Sequence, residues 1–149
     1  INSALAQNEQ CLLIFVGEND SSEYGQNLLN KIKASDLQQR IIITGWTNTE
    51  SFQHYLAAAD IGVQLRTQSR GETSGALLDC MNNGLATIIN AHGAMADYPD
   101  DTSYLLADNF SNLELTHALE TLWNDKDYRK KLTLNANLQR IKDPSFKRI

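Results

Sequence analysis

Residues 59–93 read ADIGVQLRTQSRGETSGALLDCMNNGLATIINAHG, and the order of residue types in this stretch decides the fold. Ile61 to Leu65 is an apolar run of strand length. A polar loop carrying Arg66 and Arg70 follows. Ser74 to Asn83 has helical spacing and stops at Gly84, and Ala86 to Asn90 forms a second strand. The small residues Thr73, Ser74 and Gly75 open the helix, so free backbone N–H groups gather at its start, an arrangement that suits a phosphate. Glu72 and Asp79 bracket that start. A carboxylate further along the helix can accept hydrogen bonds from both hydroxyls of a vicinal diol, each charge-assisted bond contributing about 1.5–3 kcal/mol. Phosphate at the helix start and diol on a carboxylate are what a sugar nucleotide asks for.

The flanking sequence repeats the same alternation. Cys11 to Val16 is a continuous apolar run closed by Gly17, as in a strand buried on both faces. Tyr24 to Ala34 places Leu28, Leu29 and Ile32 at helical spacing, and Ile41 to Thr44 is a strand ending at Gly45. Asn48 to Ala59 is a helix with Asn48 or Thr49 as N-cap and Phe52, Tyr55, Leu56 and Ala59 on one stripe. Tyr104 to Leu106 is a short peripheral strand. Ser111 caps a helix to about Trp123 with Leu113, Leu115, Ala118, Leu119 and Leu122 as its apolar face. Asp125 caps a last helix to about Ile141, and Pro144 ends the regular pattern. The fold class is therefore α/β, a Rossmann-like parallel sheet flanked by helices, with residues 1–149 forming a single domain. Ligands of such sheets bind at the carboxyl ends of the strands, which directs attention to the loops starting at Gly17, Gly45, Arg66 and Asn90.

Composition excludes several classes. An apolar fraction of 42% and a charged fraction of 21% in 149 residues are ordinary for a globular domain. A net charge of −5 argues against nucleic-acid binding, which needs a basic face. Cys11 and Cys80 sit in apolar surroundings and read as reduced core thiols rather than a disulfide framework. With no recognisable signal peptide, this points to the cytoplasm. No apolar run approaches the roughly 20 residues of a membrane span. The cluster Arg129, Lys130 and Lys131 reads as a solvated helix face. His54 and His117 show no metal spacing with any cysteine or acid, so no metal is expected. No P-loop or dinucleotide fingerprint is present.

By residue order, VGEND after one strand, IIITGW after the next, and then AADIGVQLRTQSRGETSGALLDCMNNGLATI, the chain resembles the donor-binding C-terminal domain of a GT-B glycosyltransferase. Within that fold it is most similar to the large retaining family of glycosyl transferases group 1, which includes bacterial mannosyl- and glucosyltransferases. The resemblance covers nearly the whole chain, including the closing helices NLELTHALETLWNDKDYRKKLTLNA. It implies a nucleotide-sugar donor, no cofactor, and transfer of a hexose such as mannose or glucose to a glycan or lipid-linked acceptor. The family carries two glutamates separated by seven residues. The matching string here is GETSGALLD, in which Asp79 falls on the second acidic position, whose role is to bind the ribose hydroxyls. Ungapped counting from Asp79 reaches Gly71, and Glu72 lies one residue later. Glu72 then takes the first, catalytic role near the donor sugar. An Arg and a Lys that the family places on the donor diphosphate come from a segment not found in this chain, which predicts weakened nucleotide binding. The opening INSALAQNEQ reads as the tail of a helix. The expectation is a C-terminal part of a two-domain protein whose N-terminal domain carries the acceptor site, the longer protein lying peripheral to the inner membrane.

Each candidate also has a plainer reading. Thr73 and Ser74 suit an ordinary N-cap, and Glu72 and Asp79 suit a solvated helix flank. Arg66 and Arg70 are the basic residues of the loop, able to fork onto a phosphate or simply to face solvent. Gly17 falls where the family's glycine-rich turn approaches the nucleotide. Trp46 suits either a base pocket or ordinary packing. His92, after the fourth strand, faces the donor or is incidental. Two rival functions share the fold: a sugar-nucleotide epimerase, and a nucleotide-binding or scaffold module without catalysis.

Overall fold

In a computed structural model describing residues 3–72 and 74–142, the chain follows the expected alternation. Its elements are α1 (Ala4–Gln7), β1 (Leu13–Phe15), α2 (Glu23–Lys33), β2 (Ile41–Ile43), α3 (Thr49–Ala58), β3 (Ile61–Gln64), α4 (Gly75–Asn82), β4 (Ala86–Asn90), β5 (Tyr104–Leu106), α5 (Asn112–Asn124) and α6 (Lys126–Lys142). A 3-10 helix at Gly93–Asp97, unforeseen from sequence, follows β4. Pro144 lies outside the described residues. The chain divides into two compact units, Ile1–Tyr55 and Leu56–Ile149.

The first unit is a βαβ unit. β1 pairs in parallel with β2, Leu13 opposite Ile41 and Phe15 opposite Ile43. Ser22 caps α2, its hydroxyl accepting from the Tyr24 N–H. The expectation that β1 is buried on both faces fails, because Leu13 is 48% and Phe15 40% exposed. The strand has three residues and, among the described residues, pairs with β2 alone, which leaves it at a sheet edge. Cys11 falls outside β1 and is half-buried rather than a core thiol. In this unit Gly25 and Ile32, both on α2, are buried among the described residues. Gly25 sits where a Cβ would lie 1.7 Å from the Asp20 carbonyl oxygen.

The second unit holds a parallel three-stranded sheet in the order β3-β4-β5. All five residues of β4 are buried, as expected of a central parallel strand. Its pleat sends successive side chains to opposite faces. Ile88 joins Ala118, Leu122 and Leu132 of α5 and α6, while Ile89 joins Leu77 and Met81 of α4 with Met95 and Tyr98. A closed capping box starts α5: the Ser111 hydroxyl accepts from the Glu114 N–H and the Glu114 carboxylate from the Ser111 N–H. Asp125 caps α6 by accepting from the Tyr128 N–H at 2.8 Å.

Two expectations fail here for geometric reasons. Leu113 is 77% exposed. At ~3.6 residues per turn it falls on the side of α5 opposite Ala118 and Leu122. Arg129 is not a solvated residue: its guanidinium donates to the carbonyls of Leu122 and Trp123, capping the end of α5.

Candidate functional site

In the second unit the loops leaving β3, β4 and β5 at their carboxyl ends are tied together by side chains. The β3 loop closes on itself. Glu72 receives the Arg66 guanidinium at 2.6 Å on one carboxylate oxygen and the Arg70 N–H at 2.7 Å on the other. Hydrogen bonds from its own N–H and from that of Arg70, with the Arg66 guanidinium beside it, hold the Glu72 carboxyl below the usual glutamate range. Gly71, where the family's first acid would fall, carries no side chain, and the Ser69 hydroxyl accepts from its N–H. The acid and one of the two arginines singled out by sequence are thus partners of each other.

After the loop comes the opening of α4. Ser74 is its N-cap, 3% exposed, with its hydroxyl accepting from the Leu77 N–H at 3.3 Å. Gly75 is the first helical residue. Thr73 lies outside the described residues. Asp79, one turn further on, is 5% exposed and engaged within the fold. Its neighbour Cys80 is 2% exposed, and burial, with the Asp79 charge second, pushes that thiol up to about 11. A thiol held protonated in this way is inert, which agrees with a reduced core cysteine.

His92 lies in the loop after β4, and Asp108 lies in the loop after β5. The His92 Nδ1 and an Asp108 carboxylate oxygen are 2.8 Å apart. The same oxygen receives the side-chain amide of Asn90 at 3.1 Å. Asn90 also pairs with the backbone of Arg66, accepting its N–H and donating to its carbonyl, both at 2.8 Å. Gly93 allows the β3 and β4 loops to close up: its φ of +56° suits glycine, and a Cβ would lie 2.4 Å from the Ser69 hydroxyl. Sequence reasoning missed Asn90, Asp108 and Ser69 as parts of the site. The available signal was Asn90 itself, a carboxamide ending a strand whose interior is fully buried.

Gly17 belongs to the first unit, where its N–H donates to the Thr44 hydroxyl at 3.0 Å and it bridges Gly45. Trp46 is 75% exposed. His54 and His117 are exposed, and no group of metal-ligating residues occurs among the described residues. No described helix is long and apolar enough to cross a membrane. A shallow groove of about 570 Å³ lies elsewhere, along β5 and the start of α5, lined by Tyr104, Leu106, Leu113, Glu114 and His117. It is largely apolar and has no lysine or arginine among its lining residues, so the hydrogen-bonded loops are the stronger candidate.

Comparison with known proteins agrees with this architecture. The C-terminal domain of a glycosyl transferase group 1 family protein, LpcC from Francisella tularensis, superposes with a TM-score of 0.69 at 18% identity, over 93% of this chain and 90% of that one. Anabaena HepE, solved in complex with UDP-glucose, gives a TM-score of 0.75 at 20% identity, over 89% of this chain and 36% of that one. Sucrose-phosphate synthase from Thermosynechococcus elongatus gives 0.70 at 22% identity, over 89% of this chain and 34% of that one. The chain thus spans about a third of the length of the two larger proteins. No curated protein matches by sequence. The fold is that of a GT-B C-terminal domain, and the sequence profile of glycosyl transferases group 1 matches residues 2–139. From this match across nearly its whole length, the chain belongs to the glycosyl transferases group 1 family.

Proposed function

We propose that this chain is the donor-binding domain of a retaining glycosyltransferase, which moves a hexose such as mannose or glucose from a nucleoside diphosphate sugar to a glycan or lipid-linked acceptor. The observation that carries the reading is the capped opening of α4 lying next in the chain to the Arg66–Glu72 pair. A helix start supplies aligned N–H groups to a diphosphate, and an arginine adds a bidentate cation. HepE, solved with UDP and with UDP-glucose on the same fold, supports the ligand class.

In this reading the diphosphate meets Ser74 and Gly75 at the helix start. It competes with Glu72 for Arg66, and Arg70 adds a second cation. Release from Arg66 leaves the Glu72 carboxylate free to face the donor sugar, where it acts as the catalytic acid position of the family. Asp79 takes the ribose hydroxyls. His92 completes the contacts to the sugar. The transition state is oxocarbenium-like, so the chemistry rests on stabilising the departing diphosphate. Helix dipole and arginines provide that, and the reading asks for no metal. An N-terminal domain would bring the acceptor, so this chain alone binds donor without turnover.

The test is a titration of the chain with UDP, GDP, ADP and TDP followed by amide NMR, repeated on Asp79→Ala. Shifts clustered at residues 71–79 for one nucleotide, weakened about tenfold by the substitution, support the reading. Binding unaffected by Asp79→Ala removes the ribose role. One observation favours a second reading, a nucleotide-binding module without catalysis: both Glu72 oxygens are already engaged. Nucleotide binding without sugar transfer or donor hydrolysis, in a protein joining this chain to an acceptor domain, would select it.

A further inference from the structure

The Asn90 side chain is 1% exposed, yet all its hydrogen-bonding groups face the site loops rather than the sheet. Its carboxamide oxygen accepts from the Arg66 N–H, which fixes which end of the amide is which. Its nitrogen then has two donors, and both are used, one on the Arg66 carbonyl and one on Asp108. Asn90 thus continues the β3–β4 pairing through a side chain, beyond Gln64–Ile89, the last pair of the β3–β4 register. The backbone from which the Arg66 side chain springs is thereby tied to the end of β4.

Asp108 carries the constraint onward. One of its oxygens receives both the Asn90 amide and His92 Nδ1. A carboxylate oxygen only accepts, so His92 must hold its proton on Nδ1. That leaves Nε2 as the nitrogen for a ligand. Asp108 itself is half-exposed, its side chain at 55%, so the buried Asn90 is the anchor of the set and Asp108 the link.

We propose that Asn90 is the positioning residue of the donor site: through the Arg66 backbone and through Asp108 it sets two contacts to a nucleotide sugar together, Arg66 on the diphosphate and His92 on the sugar. The assignment rests on the donor-site reading given above and deepens it. Both residues are tied to the same carboxamide, Arg66 through its backbone and His92 through Asp108. A change at Asn90 therefore acts on binding through both contacts, whereas loss of either contact alone acts through one.

The experiment uses the whole chain and three variants, Asn90→Asp, Asp108→Asn and the double exchange. Two readouts are followed: the imidazole nitrogen spectrum of His92 without ligand, and the affinity for UDP, GDP, ADP and TDP. Asn90→Asp keeps the acceptor for the Arg66 N–H but opposes a carboxylate to the Arg66 carbonyl and to Asp108. It is expected to weaken nucleotide binding about tenfold or more and to shift the His92 tautomer signal. Asp108→Asn keeps one acceptor oxygen for the Asn90 amide and His92 Nδ1 and is expected to give a smaller loss of affinity. The double exchange returns a donor–acceptor pair between positions 90 and 108 and is expected to recover part of both, which a merely structural role would not give. Circular dichroism checks that each variant is folded. Parent-like affinity in folded Asn90→Asp, or a double exchange no better than Asn90→Asp, overturns the proposal while the donor-site reading stands. A parent chain that binds none of the four nucleotides at millimolar concentration overturns that reading, and this assignment with it.

Discussion

β1 and β4 are both short parallel strands, and by composition β1 is the more hydrophobic: Leu13, Ile14 and Phe15 against Ala86, Thr87, Ile88, Ile89 and Asn90. Yet Leu13 and Phe15 are 48% and 40% exposed, whereas every residue of β4 is buried. The difference lies in neighbours. β4 pairs on both edges and is packed by α4, α5 and α6, and β1 pairs on one edge with β2. An apolar run therefore fixes that a strand forms, while burial depends on how many partners the topology gives it. The second unit has the packed sheet, and it also has the polar brace at the strand ends.

That contrast can be broken by truncating one residue in each sheet. Ile88→Ala removes a fully buried side chain and is expected to cost about 2–5 kcal/mol, against less than ~1 kcal/mol for Ile42→Ala at 40% exposure. Urea unfolding followed by circular dichroism reads both, and equal losses would mean that exposure in the first unit is not what sets its energetics.

Close approaches sharpen the comparison. Alanine at Gly25 meets the Asp20 backbone oxygen at 1.7 Å, and at Gly93 it meets the Ser69 hydroxyl at 2.4 Å. A backbone atom cannot swing aside, so Gly25→Ala is expected to cost about 2–3 kcal/mol and Gly93→Ala about 1–2 kcal/mol. Ser69→Gly should restore much of the Gly93→Ala loss and none of the Gly25→Ala loss. Thermal denaturation of the single and double variants checks this.

The sequence spoke clearly wherever periodicity is the cause of structure. β4 and β5 begin and end where their residue types place them, and Ser74, Ser111 and Asp125 cap the helices that follow them. It was silent wherever the cause is a contact between distant residues. Asn90 and Asp108 are 18 positions apart, and Asn90 and Arg66 are 24. Nothing in the spacing announces that these three converge. Glu72 and Arg66 illustrate the same limit from the other side: both were singled out for a ligand, and neither spacing nor charge foretold that they pair with each other.

A smaller effect tests that pairing. Because hydrogen bonding to its own and the Arg70 N–H, aided by Arg66, lowers the Glu72 pKa, the clasp is fully formed above the usual glutamate range. It is lost as pH falls through the depressed folded-state value. A carboxyl carbon-13 titration of Glu72 should give a midpoint below that of an unfolded-chain glutamate, and Arg66→Gln should raise it slightly. A midpoint at or above the unfolded value would show that the loop is not closed by this residue.

The central claim is that the opening of α4, beside the Arg66–Glu72 pair, receives the diphosphate of a nucleotide. A crystal structure of the chain soaked with the nucleotide that binds best tests it most directly. The account expects diphosphate oxygens within hydrogen-bonding distance of the N–H groups that follow Ser74, with Arg66 turned from Glu72 towards the phosphate. Nucleotide seated instead in the groove along β5 and α5, with the Arg66–Glu72 pair undisturbed, would contradict it.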